Sequence, residues 1–306
     1  MSDVATAGQM ITLGSLALRV NILPKVGGKI AQILDIRSGK KILVPPLKPY
    51  STIPQDACWL DYDLSGMDDC FPNIAPGPYP AAGWTGTRLP DHGEWVYGAW
   101  TVEAATEESI RLQRVGNVLP YTARKTIRIM DEDTIRIDYA VQNNGDIPVT
   151  YLWAAHPLIL IDEHGYRLTL PKGTRHAQTL TKRIDFEWPL LNGVDLAREW
   201  ITSGTSLKLF VLDLTEGWCE LALSHSTLRF DFDLTVTPKL GIWLNNFGFP
   251  AYPQSPFRCV AVEPCTNASD ELGALPTAAY PAIAAGSTSA WAITLKIGLS
   301  DENHEC

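Results

Sequence analysis

Thr134-Ile135-Arg136-Ile137-Asp138-Tyr139-Ala140-Val141 alternates apolar with mostly polar side chains. That two-residue period turns one face of an extended strand toward a core and the other toward water. The alternation returns near the C-terminus, where Trp291, Ile293, Leu295 and Ile297 are interleaved with Ala292, Thr294 and Lys296. Turn residues punctuate such runs. Gly14-Ser15 stands between Met10–Leu13 and Leu16–Leu23, Asp131-Glu132-Asp133 precedes Thr134, and His225-Ser226-Thr227 divides Glu220–Ser224 from Leu228–Leu234. Each break has hairpin chemistry. Helical spacing is scarce, and its best stretch, Ser269–Leu275, is long enough for one or two turns only. With 23 Gly and 22 Pro marking turns over 306 residues, and neither a linker nor a repeat, the pattern predicts an all-β chain. The expected architecture is one large antiparallel β-sandwich, a single domain over 1–306 with few short helices.

Composition narrows the function. A 45% hydrophobic content fills a sizeable core. The net charge of -9 comes without long acidic runs, and the 25 Lys and Arg are scattered, so no basic stripe exists to track phosphates and nucleic acid is excluded as a partner. Met1-Ser2-Asp3-Val4-Ala5-Thr6-Ala7-Gly8 lacks the basic start and apolar run of a secretory signal. Every long apolar region is interrupted by Pro, Gly or charge, so no membrane span is expected. A cytoplasmic protein, monomeric or homodimeric, fits these features. Cysteines 58, 70, 219, 259, 265 and 306 form no C-x-x-C pair, which predicts reduced and mostly buried thiols, with Cys306 loose at the terminus. Asn267-Ala268-Ser269 matches a glycosylation acceptor but has no export signal beside it.

The Pro-rich region from Val44 to Pro90 reads as a long ordered excursion over the sandwich, because Trp59, Tyr62, Phe71 and Trp84 give it apolar anchors. Loops of that length tend to be functional.

Three short stretches carry proton-handling side chains beside Gly or Pro: Leu89-Pro90-Asp91-His92-Gly93-Glu94, Ala154-Ala155-His156-Pro157 and Val260-Ala261-Val262-Glu263-Pro264. His92 lies where a loop feeds a strand; alone, it reads equally as a turn histidine satisfied by Asp91. His156 ends the apolar run Val149–Ala155, and Pro157 is expected to stop the ladder there. Glu263 ends another apolar run before Pro264. A carboxylate there is costly unless paired or used. The structural alternative is an ion pair with Arg124, Arg128 or Arg258. Trp243 offers an apolar platform to a pyranose face, Asn245 an amide to hydroxyls, and Asp69 a carboxylate within Gly66–Asn73; core packing and turn capping are their bland readings. If the fold gathers the two imidazoles and the carboxylate, acid/base chemistry on a polar small molecule follows.

The ordered set of His-Gly after a Pro-containing loop, His-Pro and Glu-Pro resembles the aldose 1-epimerase (galactose mutarotase) family. Val26-Gly27-Gly28-Lys29-Ile30, Gly66 to Pro72 and Trp243 to Pro250 extend the resemblance over about residues 16 to 297. It implies a sugar cleft on one sheet of the sandwich, a monosaccharide as partner, and anomer interconversion by ring opening, with no metal or organic cofactor. By that resemblance Glu263 would be the base, His156 the acid and His92 a second imidazole at the ring-oxygen region; Glu263 and His156 are expected on opposite sides of the hemiacetal, and Trp243, Asp69 and Asn245, read from the residues themselves, are the further candidates to bind the sugar. His92-Gly93 continues with Glu94 and Trp95, whereas the hexose-6-phosphate branch carries a phosphate-reading arginine soon after its His-Gly, which disfavours a phosphorylated substrate. Two other functions keep the cleft: a non-catalytic carbohydrate-binding homologue, and a glycosidase or lyase using Glu263 with Glu94 or Asp69 as second carboxylate. His92, His156 and Glu263 as a metal triad lack the His-x-His spacing usual on compact barrels.

Overall fold

The computed structural model describes residues 10–55, 57–250 and 257–300; the stretch before Gln9 and Cys306 lie outside them. The decisive run becomes the Thr134–Asn143 strand, whose odd-numbered residues from Ile135 to Asn143 are buried. It pairs antiparallel with Tyr121–Ile129 across the Asp131–Asp133 turn and with Thr288–Leu299 on its other side. These are the centre of an eight-stranded sheet. The hairpins at Gly14-Ser15 and around His225 form as the turn residues predict.

A second sheet has twelve strands, ten of them in the order Ile11–Gly14, Leu18–Leu23, Lys29–Asp35, Met67–Cys70, Ala154–Pro157, Arg258–Cys265, Lys239–Asn246, Thr205–Val211, His176–Thr179, Asp185–Glu187, with Lys40–Lys41 paired to Lys29–Asp35 and Ile159–Ile161 to Arg258–Cys265 off this path. Inner-face side chains of both sheets, among them Ile22, Val260 and Val262 from one and Ile127, Ile137 and Ile293 from the other, merge in one core cluster. This is a β-sandwich. Burying an aliphatic side chain is worth about 1.5–3 kcal/mol. A one-residue slip of Arg258–Cys265 would therefore expel Val260 and Val262 and turn Glu263 inward, so the core itself fixes which face Glu263 occupies.

Three local expectations are corrected. Ser269–Leu275 is not helical: Gly273 has φ 114°, Ser269 Oγ accepts the Glu271 N–H, and Tyr280 Oη accepts the N–H groups of Gly273 and Leu275. These side-chain bonds replace a helical ladder. Pro264 does not end its strand either, whereas Pro157 does close Ala154–Pro157. Pro157 pairs with Met67 and the chain resumes pairing at Ile159, while Pro264 lies inside Arg258–Cys265. Arg258–Cys265 pairs along its whole length with Lys239–Asn246, but on its other side it meets the 154–161 segment only at Cys265 and at Arg258–Val260, so there Pro264 falls beside a gap where the ladder is already open. Finally, the 44–90 region is not all loop. Trp59 and Phe71 are buried anchors, but Met67–Cys70 enters the large sheet as a strand. Among the described cysteines, none is disulfide-bonded and four of five are buried.

Candidate functional site

Strand alternation puts two different populations on the large sheet's faces. Ala155, Ile242, Leu244, Leu209, Val260 and Val262 face the sandwich core. Their neighbours face outward beneath the 44–97 segment, and the row they form is charged. Lys29 meets Asp68 (Nζ to Oδ2, 3.2 Å), Asp68 pairs with His156, His156 Nε2 lies 3.9 Å from Glu263 Oε1, and Glu263 pairs with Gly241. Gly241 has no side chain, and Lys208 from the next strand reaches over it to bond Glu263 Oε2. His156 is thus flanked by two carboxylates, each backed by a lysine.

His92 arrives from above. It has φ 59°, and Gly93 has φ 71°. A Cβ on Gly93 would lie 2.2 Å from the Phe71 carbonyl oxygen, so only glycine lets the loop approach this closely. The His92 N–H donates to Ile74 O and the Glu94 N–H to Phe71 O, both at 2.6 Å. Asp91 Oδ1 lies 3.1 Å from His92 Nδ1. Trp59 stacks on the His92 ring at 4.1 Å, and the His92 and His156 rings meet edge to face at 5.1 Å. Trp243 stacks near His156 at 6.4 Å. The aromatic rings and imidazoles, with Lys208 and Asp270, line an open cleft of about 300 Å³, the low end of ligand-sized pockets.

The electrostatics of the floor follow from burial. Glu263 is 1% exposed; desolvation lifts its pKa above the ordinary value, against the opposing pull of Lys208. Burial presses the Lys208 pKa down, but Glu263 and Asp270 outweigh it and hold the ammonium charged. Desolvation drives His156 well below its ordinary pKa, helped by His92, Lys208 and Lys29. Desolvation also raises Asp68, with Lys29 opposing.

The structure gathers His92, His156, Glu263 and Trp243 as the sequence suggests, with two qualifications. Glu263 does not line the cleft itself but lies just beneath its floor, and it stands beside His156 rather than across a hexose from it. Asp69 is not at the site. It points into the core, where Lys125 Nζ (2.9 Å) and Tyr139 Oη (2.7 Å) bond its two oxygens. Asn245 is not there either. It is fully buried, its Oδ1 accepting the Gly248 and Phe249 N–H groups and its amide donating to Phe249 O, which ties down the following turn. Glu94 accepts the N–H groups of Asn117 and Val118, so neither proposed second carboxylate faces the cleft. The arginines suggested for Glu263 are engaged elsewhere: Arg124 with Glu103, Arg128 with Asp138, Arg258 with Asn246. Lys208, Trp59 and Asp270 line the cleft without having been predicted as site residues, and Lys208 is the one that touches Glu263. Its signal was a cation inside the apolar run Leu207–Val211, the same anomaly that exposed Glu263. Among the described residues, no group of His, Cys, Asp and Glu is arranged to hold a metal ion, and no helix is long and apolar enough to cross a membrane.

Solved structures share this architecture over nearly the whole chain. The Slr1438 protein from Synechocystis sp. PCC 6803 has a TM-score of 0.74 at 13% identity, over 98% of this chain and 99% of that one. A galactose mutarotase-like protein from Lactobacillus casei ATCC 334 has a TM-score of 0.70 at 15% identity, over 94% and 100%. The GalM/aldose epimerase homologue from C. elegans has a TM-score of 0.64 at 13% identity, over 96% and 99%. No family model and no curated protein matches the chain. The fold is therefore the galactose mutarotase-like sandwich, a statement about architecture at these identities.

Proposed function

We propose that the protein is an aldose 1-epimerase-like enzyme that interconverts the α and β anomers of an unphosphorylated aldose. One observation carries this reading: Glu263 and His156, from strands far apart in sequence, bring their proton-handling atoms to 3.9 Å beside a cleft walled by aromatic rings. The two reacting oxygens of a hemiacetal share one carbon, so the base and acid that serve them must stand close together. Glu263, its basicity raised by burial, takes the anomeric hydroxyl proton on Oε1, the oxygen that Lys208 leaves unbonded. His156 protonates the ring oxygen, the ring opens, C1 turns, and reclosure reverses both transfers. His92, braced by Trp59, binds the ring-oxygen side, and Trp243 meets a ring face. Glu94 and Trp95 after His92-Gly93, with no arginine among the described residues lining the cleft, favour a sugar without phosphate.

The lowered pKa of His156 makes its imidazolium a strong acid but a scarce one. The rate therefore falls toward alkaline pH. Polarimetry on fresh α-glucose and α-galactose tests the reading, with a loss of about 10²–10⁴-fold expected for Glu263→Gln. Equal rates for wild type, Glu263→Gln and buffer would favour the second reading, a carbohydrate-binding protein without turnover. The burial of Glu263 under Lys208 is the observation that speaks for that alternative.

A further inference from the structure

We propose that Lys208 is a positioning residue for Glu263: it keeps the buried carboxylate ionised and turned so that Oε1 faces His156, reaching it through the space that Gly241 leaves open. The inference rests on the reading of Glu263 as the base. Lys208 Nζ bonds Oε2, while Oε1 has no hydrogen-bond partner among the described residues. One oxygen is anchored and the other is kept for chemistry. A Cβ on Gly241 would lie 3.2 Å from both Glu263 Oε2 and Lys208 Nζ, so a side chain on this strand would crowd the pair from below.

The surroundings make Lys208 the decisive counter-charge. Asp270 also faces this pocket of charge and opposes ionisation of Glu263, while the buried thiols of Cys70 and Cys265, pushed up by desolvation, stay neutral and supply no counter-charge. Asp68 lies beyond His156 on the same row. The other cations nearby are committed or neutral. Lys29 is bonded to Asp63 and stands beside Asp68, His156 is disfavoured as an imidazolium, and His92 has Asp91 at its Nδ1. A carboxylate in so dry a place without an opposite charge takes up a proton instead.

The test is the titration of the Glu263 carboxyl, followed by NMR in protein labelled at glutamate carboxyl carbons and assigned by the resonance lost in Glu263→Gln. In Lys208→Met the titration moves up by about 1–3 pH units, the size expected for a lost opposite charge. In Lys208→Arg it returns toward wild type. The acid limb of kcat/KM from polarimetry moves with it. If Lys208→Met does not fold, Gly241→Ala gives the same upward direction with a smaller shift. An unmoved carboxyl titration in whichever of these variants folds overturns the proposal. A moved titration in a protein that shows no mutarotation sustains the ion-pair role and removes the epimerase reading, so the two failures are told apart.

Discussion

Two buried lysine–carboxylate pairs sit on opposite faces of the same sheet, and they differ in one respect. Lys125 and Asp69 are 2% and 4% exposed inside the sandwich, and both Asp69 oxygens are bonded, one to Lys125 and one to Tyr139. Lys208 and Glu263 are 12% and 1% exposed under the cleft, and only one Glu263 oxygen is bonded. Burial and pairing are common to both. Completeness of bonding separates them: both Asp69 oxygens are satisfied within the core, whereas Glu263 Oε1 is left without a hydrogen bond beside the His156 imidazole, as the proposed role of base requires.

The comparison breaks or holds on two matched amide substitutions. Asp69→Asn leaves the Lys125 charge stranded in the core, and about 3–5 kcal/mol of stability is lost, read as a lowered midpoint in urea. Glu263→Gln leaves Lys208 at a rim where it can turn toward water, and the cost stays below about 1 kcal/mol. Comparable losses from the two variants would show that Glu263 is as structural as Asp69.

Much of this was legible because strand periodicity is a strong signal. Thr134–Asn143 and Thr288–Leu299 alternate cleanly, since one face of each meets the core and the other meets water. His156 and Glu263 were legible because an ionisable side chain in an apolar run demands a reason. Asp69 misled by adjacency. Asp68 and Asp69 sit side by side in Met67–Cys70, and strand geometry sends one to the cleft side and the other to the core. Nothing in their sequence positions says which is which, because the deciding partners, Lys29 and Lys125, come from other strands. Lys208 and Trp59 stayed hidden for a similar reason. The value of each depends on a neighbour it meets only across the sheet or under the covering loop. Pro157 closes its strand as a missing donor predicts, but Pro264 does not, because the ladder on one side of it is already open.

His156 sharpens the comparison through pH. Its folded-state pKa is lowered, chiefly by burial, so below the unfolded value of about 6.5 the unfolded chain binds more protons than the folded one. The stabilising contribution is fully present above about pH 6.5 and is lost as pH falls through the folded pKa. Each unit of lowering is worth about 1.4 kcal/mol. Urea midpoints measured from pH 7.5 down to 5 should therefore decline in wild type and flatten in His156→Gln. The Lys125–Asp69 pair has no imidazole beside it, so substitutions there shift the whole curve without changing this slope. Equal slopes in wild type and His156→Gln would mean the ring is hydrated and the floor of the cleft is wetter than its burial implies.

The smallest effect concerns the aromatic walls. Trp153, just before the Ala154–Pro157 strand, is fully buried among Tyr139 and Trp291, whereas Trp243, on Lys239–Asn246, borders the cleft, edge-on to Phe249 at 5.5 Å. An apolar face laid against a sugar ring contributes equally before and during ring opening, because the reacting oxygens lie at the ring's edge. Losing it removes uniform binding, which raises KM and leaves kcat in place. For Trp243→Ala a loss of about 0.5–1.5 kcal/mol corresponds to a KM higher by about 2- to 12-fold. A drop in kcat of the same size would instead show that Trp243 works through His156, whose ring it parallels at 6.4 Å. In that case the wall belongs to the positioning of the acid rather than to the grip on the sugar.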